Sequence, residues 1–392
     1  MTLRCMVALK TQMLHLIQAM GFRQMMVAVT LFALVCLIWL VLSLPGKKRW
    51  KIPVALAGAA GILSLALPWM RHTFTTWPAA LLFPLVCCTA MILPITALQS
   101  IRTALLAPAL ILAPLWRTPL HTLLSRKLSL GVLLLGAATG LIAFYNAVKI
   151  PDVRETAVPI QNLPAELEDF RIVQLTDLHL GTIFTAPWLE SVVEKVNALD
   201  ADVIVLSGDL GESAPGLISD VLAPLEKLHA RDGVFFTLGN HEMYQGREEW
   251  LRFYDTHGYR LLCDSHALIR RGNAALALGG ADMRFHGSKE PSNIFDGVPD
   301  GAVRILISHV PDRPEEAEAL GVALQLSGHT HGGLMPGVRQ LVAASNGGYV
   351  SGLYKVGNMY LYVSNGTGLW SFVAARLFTP SEIACLRLVR AQ

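Results

Sequence analysis

The stretch Ser327-Gly328-His329-Thr330-His331-Gly332-Gly333 follows directly on the apolar run Val322-Ala323-Leu324-Gln325-Leu326. It reads as a buried strand ending in a glycine-flanked loop that carries two imidazoles two residues apart. Side chains at i and i+2 of a loop can enter one cavity, and neutral imidazole is the commonest side-chain ligand for borderline metals. The glycines let the backbone close on an ion or anion at little steric cost. A lone His-x-His in a loop is common, so its meaning rests on what precedes it.

Upstream, short apolar runs alternate with helical patterns. Strands are expected at 170–175, 203–206, 234–238, 303–307, 322–326 and 360–363, and helices at 187–199, 217–228, 247–257 and 314–320. Within 259–278, Arg271-Gly272-Asn273 reads as the tight turn of a strand pair. Alternating strands and helices mean an α/β domain, and the hairpin signal means mixed sheets. In such folds sites form beyond the carboxyl ends of strands.

Polar residues stand at those ends: Thr176-Asp177-Leu178-His179, Ser207-Gly208-Asp209, Gly239-Asn240-His241-Glu242, Ser308-His309 and the opening stretch. A single Asp or Asn after a strand is ordinarily a turn residue or helix cap, and a single His an ordinary surface or core residue. Turn chemistry has no reason to choose His at four of five strand ends, so together they read as a metal centre. His229, His257, His266 and His286 lack that context and keep the ordinary reading. Seven ligating side chains are too many for one ion and suit two ions sharing a carboxylate, an arrangement that can generate hydroxide at neutral pH. Mixed oxygen and nitrogen ligation fits Mn, Fe or Zn better than Mg or Ca.

Composition divides the chain. Of 392 residues 53% are hydrophobic and 16% charged, against roughly 25% charged in ordinary soluble domains. No Asp or Glu precedes Asp152, while thirteen Lys and Arg do, so 1–151 carries +13. The other 19 bases and all 29 acids give 152–392 a charge of −10. That sign argues against a nucleic-acid partner. Residues 1–151 read as a membrane domain with about four helical spans, at 25–44, 52–69, 77–98 and 128–148, each near the ~20 apolar residues a bilayer requires. The shorter run 104–116, with Pro108 and Pro114, reads as re-entrant or interfacial; read instead as a fifth span, it would reverse the side on which the second half lies. Lys47, Lys48, Arg49 and Lys51 in one loop and Arg102, Arg117, Arg126 and Lys127 in another mark the cytoplasmic side, which places the second half on the periplasmic or extracellular side of a bacterial membrane. Residues 152–168, with Pro159 and Pro164, read as a linker to a domain at 169–392. No Cys-x-x-Cys spacing suggests zinc or redox chemistry, and Cys263 and Cys385 read as isolated thiols.

The ordered set D-x-H, G-D, G-N-H-E, a lone His and G-H-x-H resembles the calcineurin-like metallophosphoesterase superfamily over about 168–390. Ser308-His309-Val310-Pro311-Asp312 and Tyr362-Val363-Ser364-Asn365-Gly366 resemble its YkuE/YaeI-like membrane-associated bacterial branch. The resemblance implies a four-layer sandwich of two mixed sheets between helices. It implies one ion held by Asp177, His179, Asp209 and His331, and a second held by Asn240, His309 and His329, with Asp209 bridging. It also implies that a hydroxide between the ions attacks phosphorus in line, while His241 stabilises the transition state or protonates the leaving oxygen. Glu212 stands where relatives often have Asp, and Leu334 where they often have Gln; neither is an implied ligand. An anchor close to the site points to a lipid or lipid-linked phosphodiester or diphosphate. The alternatives are a phosphomonoesterase or nucleotide phosphodiesterase on soluble substrates, or a membrane scaffold that has lost its chemistry. The apolar run 369–378 is either a lipid-facing lip or an edge strand with core residues, the second being the simpler reading.

Overall fold

The computed structural model describes residues 126–181, 183–283, 293–370 and 374–391, so the spans expected at 25–44, 52–69 and 77–98 lie outside the described residues. Helix α1 (Arg126–Val148) occupies the fourth expected span, with Leu134, Leu135, Leu141, Ile142 and Tyr145 exposed on it. Among the described residues no helix is long and apolar enough to cross a membrane; the side chains of 126–130, 132 and 133 fall outside that description.

From residue 152 the chain builds two six-stranded mixed sheets. The first runs β1 (Asp152–Ile160), β12 (Glu382–Arg390), β2 (Arg171–Leu175), β3 (Val203–Ser207), β4 (Gly233–Thr237), β5 (Arg260–Leu261) in spatial order. The second runs β10 (Gly352–Val356), β11 (Met359–Val363), β9 (Val322–Ser327), β8 (Val303–Ile307), β7 (Ala274–Gly280), β6 (Ser265–Arg271). Strands β2 to β5 are parallel, as are β11, β9, β8 and β7, while antiparallel β12, β10 and β6 make both sheets mixed.

Strand alternation explains the packing, because successive side chains point to opposite faces. Val203 and Val205 of β3, Ile305 and Ile307 of β8, Leu324 and Leu326 of β9 and Leu386 and Leu388 of β12 share one core between the sheets. Leu306, one step out of phase, joins the outer core of the second sheet with Ala317 of α5 (Pro314–Ala319) and Met359. The outside of the first sheet is met by α4 (Asn240–Thr256), whose Tyr254 ring lies 5.3 Å from that of Phe236 on β4. Helix α2 (Ala186–Asn197) buries Leu189, Val192, Val193 and Val196, the stripe read at 187–199.

Two expectations are corrected. Residues 152–168 are not a linker: 152–160 pairs along its length with β12 as an edge strand, and Leu163 and Leu167 are buried. Its prolines suggested a linker, yet Pro159 is tolerated because a strand with one neighbour leaves N–H groups unused on its other side. The expected helix 217–228 is broken into a 3-10 turn at Pro215–Leu217, α3 (Ser219–Leu222) and a 3-10 stretch Ala223–Lys227, since Pro224 cannot donate within a continuous helix. The tight turn is as read, with Gly272 at φ 56 between β6 and β7.

Leu386 is wholly buried at the middle of β12, the strand that joins β1 to the rest of its sheet. Leu386→Ala is expected to lower unfolding free energy by about 2–5 kcal/mol, measured by denaturant titration of the full chain.

Candidate metal centre

Parallel register brings five strand ends together. Leu175 pairs with Leu206 and Leu206 with Phe236 in the first sheet, and Ile307 with Leu326 in the second, so residues following these strands emerge on one edge. The sheets are tied there by Gln174, whose amide donates to Ser207 Oγ at 2.8 Å and to the Ser327 carbonyl at 3.1 Å. Asp177 N–H donates to the Gly208 carbonyl and His179 N–H to the Asp209 carbonyl, each at 3.1 Å.

Five expected ligands lie in the left-handed region: Asp177 (φ 54), His179 (φ 46), Asp209 (φ 54), His329 (φ 66) and His331 (φ 49). Non-glycine residues there store strain that the surrounding structure must hold. Here glycines make room for it. A Cβ on Gly239 would collide with the Asp209 carboxylate, and one on Gly328 with Thr176 Oγ1 and Asp177 Oδ2.

The side chains converge in two groups. His179 Nε2 and His331 Nε2 are 3.2 Å apart, with Asp177 Oδ1 at 3.9 and 3.5 Å from them. Asn240 Oδ1 stands 2.7 Å from His329 Nδ1 and 3.2 Å from His309 Nε2. Asp209 Oδ2 lies between the groups, 3.7 Å from His179 Nε2 and 3.3 Å from His309 Nε2. The structure therefore brings Asp177, His179 and His331 together in one group and Asp209, His309 and His329 in another, with Asn240 beside the second. Two Nε2 atoms facing each other at 3.2 Å require a proton or a cation between them, and a nitrogen and oxygen donor set of this kind fits divalent transition ions.

The expected catalytic His241 sits beside them, its Nε2 4.0 Å from Asp209 Oδ2 and its ring 4.5 Å from that of His179. Burial disfavours its cation, but the carboxylates of Asp209 and Glu212 outweigh that and raise its pKa to about 9. For His309 the same opposition, with Asp209 as the main partner, gives about 10. Burial, with the charge of His179, pushes His331 well below the ordinary value, which favours the neutral ring with one nitrogen lone pair free. Burial would raise the Asp209 carboxyl, yet His309 and His241 hold it well below the usual range.

Three further residues organise the centre. Glu212 Oε1 is 2.8 Å from His179 Nδ1 and Glu212 Oε2 3.4 Å from His241 Nδ1. Burial opposes its charge, but the two histidines lower its pKa to about 2. A carboxylate behind Nδ1 turns Nε2 towards the centre, so Glu212 acts by orienting, although His179, Glu212 and His241 could also be drawn as a third ligand cluster. Glu242 accepts from the N–H groups of Asp209 (3.0 Å), Leu210 (2.6 Å) and Gly239 (2.7 Å), closing a capping box at the start of α4. Arg376, fully buried, donates to the carbonyls of His331 (3.0 Å), Asn365 (2.7 Å), Gly368 (2.9 Å) and Thr379 (3.3 Å), and burial lowers its pKa to about 10. The capping pattern Gly239…Glu242 was readable in the sequence; nothing marked Arg376.

Residues 170–333 match the family model described as calcineurin-like phosphoesterase. The chain is 32% identical over 259 residues to a metallophosphoesterase of Helicobacter pylori, covering 63% of this chain and 66% of that one. It is 30% identical over 273 residues to a Danio rerio protein named transmembrane protein with metallophosphoesterase domain, covering 66% and 62%. It is 26% identical to the metallophosphoesterase YkuE of Bacillus subtilis, covering 67% and 93%. The chain thus spans less than two thirds of the length of the first two relatives. Residues 170–333 form a calcineurin-like metallophosphoesterase domain.

Glu242→Ala would leave three buried N–H groups without an acceptor. At about 1–3 kcal/mol per orphaned group, the expected loss is several kcal/mol, read as a lower denaturation midpoint, with Glu242→Gln recovering part of it.

Proposed function

We propose that this domain is a dinuclear-metal-dependent phosphoester hydrolase, held at a membrane by the chain preceding it and acting on a lipid or lipid-linked phosphodiester or diphosphate. The observation that carries the hydrolase reading is Asp209 Oδ2 standing between two donor sets. Asp177, His179 and His331 would hold one ion, Asn240, His309 and His329 the other, and Asp209 both. Two such ions, when bound, neutralise phosphoryl oxygens and acidify water. His241 holds a proton at Nε2 on the rim of the donor sets, backed by Glu212, and passes it to the oxygen that leaves as the phosphorus–oxygen bond breaks. Asp209 Oδ1 accepts from His241 N–H at 2.8 Å, which fixes the backbone from which that ring projects.

The membrane reading rests on the +13 charge and long apolar runs of 1–151, on the uncharged run 128–148, and on relatives from Danio rerio and Bos taurus named transmembrane proteins. The Lys and Arg of the two basic loops, at 47–51 and 102–127, support a site on the periplasmic or extracellular side. The −10 charge of 152–392 disfavours a nucleic-acid substrate.

Full-length protein in detergent with Mn is expected to hydrolyse bis-p-nitrophenyl phosphate faster than p-nitrophenyl phosphate. Absence of turnover on both, with metal bound, would overturn the enzyme reading, and a reversed preference the diester reading. His241→Ala is expected to retain metal and lose about 10²–10⁴-fold in rate. A reporter fused after Gln392 is expected to score outside the cytoplasm.

A further inference from the structure

Phe378 combines two unfavourable features. Its side chain is 90% exposed, and its backbone has φ +61, the left-handed region that bulky residues avoid. It is neither the edge strand nor the core position that the apolar run 369–378 suggested, whereas Leu369 is core at 1% exposure. Nor is it a loose end. The preceding Arg376 is locked by its four carbonyl bonds, Leu377 N–H donates to the Leu334 carbonyl at 3.0 Å, and Thr379 and Ser381 are buried. The ring is therefore carried outward on a fixed base.

That base is the rim of the metal centre. Arg376 holds the carbonyl of His331, and Leu334 follows the glycine pair after it. From the same rim rises α6 (Val338–Ser345), which buries none of its residues and leaves Leu341 48% exposed. Its Arg339 donates back to the Gly332 carbonyl at 3.1 Å. A short helix with unburied Val338, Leu341 and Val342 beside an exposed Phe is the composition of an interfacial element.

Chain length says what meets it. Helix α1 ends at Val148 and β1 begins at Asp152, a gap that extended chain bridges with roughly 3.5 Å per residue. A domain tethered that closely to an apolar segment cannot move far from the bilayer holding it. We propose that Phe378, with Leu341 of α6, inserts into the lipid surface and seats the rim of the metal centre at the headgroup level. This rests on the membrane reading above and deepens it: the substrate would be met in the plane of the bilayer, its phosphate reaching the centre without the lipid leaving the membrane.

The test uses the full-length protein reconstituted in vesicles of phosphatidylcholine and phosphatidylglycerol. Phe378→Cys carries an environment-sensitive fluorophore, as does Asp300→Cys, an exposed position just before β8, at the opposite end of that strand from His309; unsubstituted protein gives the background. In the vesicles the label at 378 is expected to emit to the blue of that at 300 and to be quenched at least about twofold by spin-labelled lipid, while that at 300 keeps an aqueous spectrum. An aqueous spectrum at 378, or equal quenching at both positions, would overturn the proposal. In a second arm, Phe378→Ser is expected to slow hydrolysis of a phosphodiester lipid in those vesicles by about tenfold or more, the factor that accompanies burial of one Phe side chain. Phe378→Leu should retain the rate, and both variants should keep soluble diester hydrolysis. Equal loss on both substrates would count against insertion. Failure of the unsubstituted protein to hydrolyse either would defeat the hydrolase reading, while the fluorescence would still decide insertion.

Discussion

The carboxylate of Asp209 is the interaction on which the rest of the centre depends. It is buried, which alone would favour its neutral form, yet three histidines face it and hold it ionised. One oxygen is committed to the His241 backbone N–H, leaving the other to face both donor sets. The backbone of Asp209 is itself fixed by Glu242 and adopts a left-handed conformation that the glycine at 239 accommodates. A negative charge buried among imidazoles is costly to assemble without partners, so the surrounding hydrogen bonds are a condition of its ionisation.

Those bonds are delivered by topology. Three parallel strands of one sheet and two of the other end at the same edge, and the residues that follow them carry the centre. Each contributes one or two side chains, and none of the five could build the centre alone. The groups behind the imidazoles follow the same pattern. His309 Nδ1 lies 2.7 Å from the Ser207 carbonyl and His179 Nδ1 2.8 Å from Glu212, so each ring presents Nε2 inward. His329 presents Nδ1 instead, held through its N–H to Asp177.

The sheets and the ligands were legible because they obey periodic rules. Apolar runs of four to six residues showed the inner strands, and polar residues after them showed the site. What escaped was determined by contacts distant in sequence. Residues 152–160 looked like a proline-marked linker because their partner, β12, lies more than two hundred residues away. Glu212 looked like a departure from a motif, since its reach to two histidines exists only after folding. Arg376 carried no signal because it recognises carbonyl groups, which every residue has. Phe378 misled for the opposite reason: its sequence neighbours are core residues, and exposure is set by the loop that carries it.

The proposed sharing of Asp209 between two ions is tested most directly by electron paramagnetic resonance of the full-length protein loaded with Mn(II). Two ions about 3.5–4 Å apart and joined by one carboxylate should give a spin-coupled spectrum at two Mn per chain, lost in Asp209→Ala. A single Mn per chain, or two with the spectrum of isolated ions, would contradict a shared centre.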